Sequence, residues 1–181
     1  PAKNSRRSFF LMRSLGFASF ILVSLSIALT GLACGQSVLI PFGSTWKYLD
    51  DGSEQGYEWR QDFFDDSSWK SGLAELGYGE DETTQVGFGD NPRSKFITTY
   101  FRRKFMVDDP SALPGIKLEL LRDDGAVLFV NGVEVGRSNM PEDELITKDT
   151  AASLSEGGLV ESIIHEFIVS PLLLKPGENI I

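Results

Sequence analysis

Residues able to do covalent chemistry are scarce in this chain: it carries a single histidine, His165, and a single cysteine, Cys34. A nucleophilic serine would need a base and an orienting acid within hydrogen-bond reach, and no serine sits in a Gly-x-Ser-x-Gly turn. His165 stands in a β-prone run, in phase with Ile163 and Phe167, where a structural imidazole is the better reading. A two-metal hydrolytic centre needs several His and Asp ligands, which one histidine does not supply. The chain is therefore expected to be non-catalytic.

Carboxylates are plentiful and clustered. Asp50-Asp51, Asp62 with Asp65-Asp66, Glu80-Asp81-Glu82 and Asp123-Asp124 all fall in turn-like stretches. Calcium takes six to eight oxygens from such loops, which makes Asp65, Asp66, Asp123 and Asp124 the candidate ligands of a structural calcium. The spacing matches no dedicated calcium loop, and Asp is also the residue that bonds nearby backbone amides in turns, which is the preferred reading. No other cofactor is expected.

Aromatic residues offer a different chemistry. A pyranose ring stacks on an exposed Trp or Tyr while Asp, Asn or Arg takes its hydroxyls. Trp46, Trp59, Trp69, Tyr57, Tyr78 and Tyr100 can serve, although aromatic side chains also fill β-sheet cores. Trp59, between Glu58 and Arg60, reads as partly exposed. The candidate glycan set is Trp59, Tyr78, Arg122 and Asp123.

The elements that would hold these groups are strands. Val38–Phe42 and Thr45–Leu49 are short β-prone runs, and Phe96–Val107 alternates, with Ile97, Phe101, Phe105 and Val107 on one face and Thr98, Arg102 and Lys104 on the other. Ile116, Leu118 and Leu120 alternate with Lys117 and Glu119. Ala126–Val130 is apolar throughout, as if covered on both faces, and Asn131-Gly132 then joins it to Val133–Val135 in a hairpin signature. Val160–Val169 is a further strand, and Asn179–Ile181 begins another. No helical period is sustained; Pro110–Leu113 and Pro171–Leu174 suit one helical turn each, and Asp65–Ser68 could cap another that delivers Trp69 to the core.

The first fifth reads differently. Lys3, Arg6, Arg7 and Arg13 precede an uncharged apolar stretch from Leu15 to Ala33, the pattern of an export signal. Residues 1–35 are read as a helical signal peptide and 36–181 as one β module. Ordinary cleavage after Gly35 competes with lipid attachment at Cys34 and with retention as an anchor. Export places the module outside the cytoplasm, whether secreted, periplasmic or on the cell surface, and touching membrane only through the signal or a lipid on Cys34. The net charge of −9 becomes more negative once that basic segment leaves, which disfavours nucleic acid as a partner. Without Cys34 the module has no disulfide or thiol nucleophile. Its length suits one core rather than two. The chain ends in what reads as a strand and is taken to be a piece of a longer protein, truncated at its C-terminal strand, whose downstream domains are partners.

A series of blocks carries a family likeness: Gly43–Tyr48, Phe64-Asp65-Asp66-Ser67-Ser68-Trp69, Leu76-Gly77-Tyr78-Gly79, Ile97–Arg103, Leu121-Arg122-Asp123-Asp124-Gly125-Ala126 and Val130–Val135. Together they resemble the galactose-binding-like jelly-roll modules of large secreted bacterial proteins, such as metallophosphoesterases and proteins with lamin-tail or spore-coat-kinase-like domains. The Phe64–Trp69 block and the Val-Asn-Gly hairpin are also similar to the sugar-binding domain of the β-galactosidase family. The resemblance spans nearly all of residues 43–181. It implies an antiparallel β-sandwich or jelly roll that binds carbohydrate or positions a downstream catalytic domain. Two alternatives stay open: the leading domain of a secreted hydrolase whose active site lies past residue 181, and a ligand-free spacer of a surface protein.

Overall fold

A computed structural model describes residues 20–27, 37–79, 82–157, 160 and 162–181. The described residues form strands joined by turns, with three-residue 3₁₀ turns and no α-helix, so the chain is all-β. The largest sheet runs β12 (His165–Val169), β9 (Ile116–Asp123), β1 (Phe20–Ile27), β5 (Leu76–Gly77) and β6 (Thr84–Gln85), with β2 (Val38–Ile40) also paired to β1. A second sheet is β4 (Lys70–Leu73), β3 (Thr45–Leu49) and β7 (Tyr100–Arg102). Two ladders complete the fold: β10 (Ala126–Val130) with β11 (Val133–Ser138), and β13 (Gly177–Ile180) with β8 (Lys104–Val107). Every pairing is antiparallel except β5 with β6.

The alternation in sequence becomes two faces. In β9, Ile116, Leu118 and Leu120 are buried, whereas Lys117 and Glu119 are half-buried and ion-paired at 2.7 Å. Ile40, Leu25 and Leu118 lie side by side across β2, β1 and β9, each 0% exposed. A fully buried side chain of this size contributes roughly 1.5–3 kcal/mol. Trp46, Tyr48, Leu76, Phe101, Phe105 and Leu128 belong to the same core. The single turns at Pro110–Ala112 and Pro171–Leu173 are 3₁₀, capped by Asp109 and Ser170.

Several expectations are corrected. Phe20–Ile27, inside the segment read as helical, is an eight-residue strand at the middle of the largest sheet. Its Ile and Val suit a pleated surface, and Ser24 and Ser26 between apolar neighbours give it period two as well as apolarity. Cys34, with the rest of residues 1–35, lies outside the described residues, as do Glu80 and Asp81. The run Phe96–Val107 is not one strand: Phe96–Thr99 is irregular, Ile97 is exposed, and β7 and β8 are separated at Arg103. Arg102, expected to face water, is 1% exposed, and Ala126–Val130 is covered fully only at alternate positions. Ile163 and Ile164 likewise precede the strand, which begins at His165.

The Asn131-Gly132 turn has both residues at positive φ, 48° and 82°, and sets Val130 opposite Val133. Asn131 then stitches this hairpin to β13: its amide donates to the Leu173 carbonyl (2.7 Å) and to Asn179 Oδ1 (2.8 Å), while its Oδ1 accepts from the Ile180 amide (3.0 Å). A β-branched residue is strained at a positive φ. Gly132→Val is therefore expected to destabilise the protein by about 1 kcal/mol or more, read by chemical denaturation; an unchanged midpoint would show that the turn tolerates the side chain.

Candidate functional site

One cavity of ≈ 560 Å³ opens beside β7 and β10, walled by the 3₁₀ turn Glu58–Arg60 and by loop residues such as Lys95, Thr98, Met140 and Thr147. Its size is that of a small-ligand pocket. Three aromatic residues make one wall. The Trp59 ring meets Tyr100 edge-on at 5.0 Å and Phe129 edge-on at 5.8 Å. Buried Trp69 supports them from behind, 6.5 Å from Trp59 and 6.2 Å from Tyr100.

Arg102 holds that wall in place. Its Nε donates to Asp66 Oδ2 at 2.9 Å, and its two terminal nitrogens donate to the Gln61 carbonyl at 3.2 Å. The guanidinium also lies 5.1 Å from the Phe64 ring. A charge this buried requires a partner, and the arrangement bolts the loop carrying Trp59 and Trp69 onto β7.

Arg60 adds a cation to the aromatic wall. Its guanidinium sits 4.1 Å over Phe129 and 4.8 Å over Tyr57, with no hydrogen-bond partner for Nε among the described residues. Burial lowers its pKa from the usual guanidinium value. At the other end Lys95 lies 4.4 Å over Tyr78, and Asp123, Asp124 and Gly125 complete the lining. Glu54 closes the rim, accepting from the Lys148 amide (3.1 Å), the Gly56 amide (3.0 Å) and the Tyr100 hydroxyl (3.3 Å). Those bonds, led by the Lys148 amide, hold its carboxyl below the usual range.

The residues singled out in sequence divide. Trp59, Tyr78 and Asp123 line this one cavity, together with Asp124. Arg122 does not line it; it is buried, donates to Ser138 Oγ at 2.9 Å and pairs with Glu156. Asp65 and Asp66 are not cavity residues either: Asp65 accepts the Ser67 amide at 2.9 Å in a turn, and Asp66 is the partner of Arg102. Asp124 Oδ1 accepts the Glu156 amide at 2.7 Å. Among the described residues no three His, Cys, Asp or Glu side chains converge as metal ligands would. His165 sits in β12 opposite Leu120, with Nε2 lacking a partner among the described residues; burial and then the Arg122 charge lower its pKa. Arg60, Phe129, Lys95 and Glu54 were not marked by sequence. Arg60 adjoins Trp59, which is the one local signal; the others arrive from distant loops and strands.

No protein family, no curated protein and no solved structure matches this chain. The likeness to galactose-binding-like modules rests on its residue blocks alone. No helix among the described residues is long and apolar enough to cross a membrane.

Tyr100 gives the site a measurable signature. Burial, then the charge of Glu54, push its phenol up to about 12 from 10.0. The fold prefers the neutral phenol, so this stabilisation is complete below pH 10 and disappears as pH rises from there to about 12. Ultraviolet titration is expected to show a tyrosine ionising near that upper value, absent in Tyr100→Phe, whose stability varies less across the same window. Ionisation of every tyrosine together near 10 would contradict this burial.

Proposed function

We propose that residues 36–181 are a non-catalytic, exported jelly-roll module whose cavity binds carbohydrate, and that residues 1–35 carry the export signal. The observation that supports binding is the cavity whose aromatic wall of Trp59, Tyr100 and Phe129 carries Arg60 and whose other end carries Asp123 and Asp124. Sugars present alternate C–H faces and hydroxyl edges, and such a wall offers rings for the first and charged hydrogen-bonding groups for the second. Export is supported by the basic start and the uncharged stretch that follows it. Extracytoplasmic glycan binding of this kind would bring a downstream domain of the same polypeptide to its substrate.

Titration calorimetry against neutral galacto-, gluco- and manno-oligosaccharides tests the binding. One class is expected to bind, and Trp59→Ala to weaken it about tenfold, the equivalent of ~1.4 kcal/mol, with Phe64, Arg102 and Trp69 left to keep the loop folded. Absence of binding across the whole panel would refute the glycan reading, and hydrolysis of any of these sugars or of a phosphomonoester would refute the non-catalytic one.

Export is tested separately. Produced in a Gram-negative host, the chain is expected to lose roughly 33–36 residues on secretion, as read by intact mass. A mature product retaining the apolar stretch would mean an anchor, and an added diacylglycerol on Cys34 a lipoprotein.

A further inference from the structure

Phe20–Ile27 lies in the proposed export signal, yet it occupies the middle of the largest sheet. All eight residues pair with β9, from Phe20 opposite Asp123 to Ile27 opposite Ile116. On its other edge the contacts are few: Leu25 with Ile40, Ser26 with Val38, and Ile21 with Leu76. We propose that the lane between β9 and the β2/β5 edge is a strand-acceptor site, and that Phe20–Ile27 is a detachable strand that goes on filling it after the chain is cut between β1 and β2.

Two contacts fix the register. Leu25 sits in the core between Ile40 and Leu118, and the Ser24 hydroxyl donates to Glu119 Oε2 at 3.0 Å on the opposite face. A slip of one residue would set Leu25 beside Lys117 or Glu119 and turn Ser24 toward the core, so the lane selects both sequence and direction. The lane is also costly to leave empty. β12 covers β9 only from Ile116 to Leu120, so Leu121–Asp123 would lose the only strand paired with them among the described residues. An uncovered edge of that length, with a vacant apolar groove beside it, recruits other strands. Among the described residues β1 is held by its ladder to β9 and by the Leu25 and Ser24 contacts.

The proposal goes beyond glycan binding and stands whether or not the natural cut occurs, since the experiment supplies its own. A specific protease site is placed among residues 28–36 of the full chain, and the folded protein is cut. The N-terminal fragment is expected to co-elute with the remainder, and the β9 amides to stay protected in hydrogen exchange. An excess of isotope-labelled peptide bearing Phe20–Ile27, flanked by lysines for solubility, should exchange into the lane. The same peptide carrying Leu25→Asp should not. Stripping the fragment in denaturant and refolding without it should lower the melting midpoint by about 10 °C or more and open β9 to exchange or self-association. Adding the peptide back should reverse both changes. A remainder that stays monomeric with an unchanged midpoint and protected β9 overturns the proposal. So does an unstable or oligomeric remainder that the peptide neither binds nor rescues. Glycan titration of the cut protein and intact mass of the natural product report on the functional reading separately.

Discussion

A β-strand buried in mid-sheet needs hydrogen-bonding partners on both edges, and Ile116–Asp123 is the strand on which this requirement bears most heavily. It presents Ile116, Leu118 and Leu120 to the core and Lys117 and Glu119 to the other face, with β12 along one edge and Phe20–Ile27 along the other. At its end the pattern changes, and Arg122 and Asp123 are both buried. Arg122 is satisfied by Ser138 and Glu156, which ties the strand's end to β11 and to the 153–157 segment. Asp123 and Asp124 then turn toward the cavity. The acidic end of the candidate site is thus delivered by the strand that organises the main sheet.

The aromatic end depends on a second buried charge. Arg102 joins a β7 backbone position to Asp66 and to the Gln61 carbonyl, so the loop carrying Trp59 and Trp69 has a fixed height above the sheet. Lys47 adds a bond from its ammonium to the Trp69 carbonyl at 3.2 Å. Removing one partner from such a pair leaves an uncompensated charge, typically at a cost of ~3–5 kcal/mol. The site is therefore assembled by two arginines that do different things: Arg102 and its partners set the loop, whereas Arg60 lies over Phe129 and Tyr57 in the cavity lining.

The excess of carboxylates, which dominates the composition, resolves mostly into local chemistry. Asp51 accepts from Ser53, Asp65 from Ser67 and Asp109 from Ser111, each two residues ahead in the chain. Asp50 is buried and takes Lys70 Nζ at 2.7 Å and the Gly87 amide at 2.5 Å. The serine bonds are local ones that a turn needs in any ligand state, whereas Asp50 ties β3's end to Lys70 and to the distant Gly87.

Local rules determined a good part of this protein in advance. Asn131-Gly132 demanded a two-residue hairpin because both residues tolerate positive φ, and period-two alternation placed Ile116, Leu118 and Leu120 on the core. Asp65 was legible as a turn acid for equally local reasons, whereas the structural reading of Trp46 and Trp69, both buried, came from the resemblance of the blocks that hold them. What residue type could not determine was which of two apolar structures an uncharged segment adopts. Phe20–Ile27 suits part of an apolar helix spanning the uncharged stretch 15–33 or a central strand, and pairing beside β9 makes it a strand. Arg102 and Arg122 occupy positions that read as polar, and burial became tolerable only because Asp66 and Glu156 arrive from elsewhere in the chain. The cavity is tertiary in the same sense: Trp59, Tyr78 and Phe129 are far apart in sequence, and nothing in their spacing says they line one cavity. Periodicity records which face of a strand is apolar; which segments meet across that face is decided by long-range pairing, on which local sequence is silent.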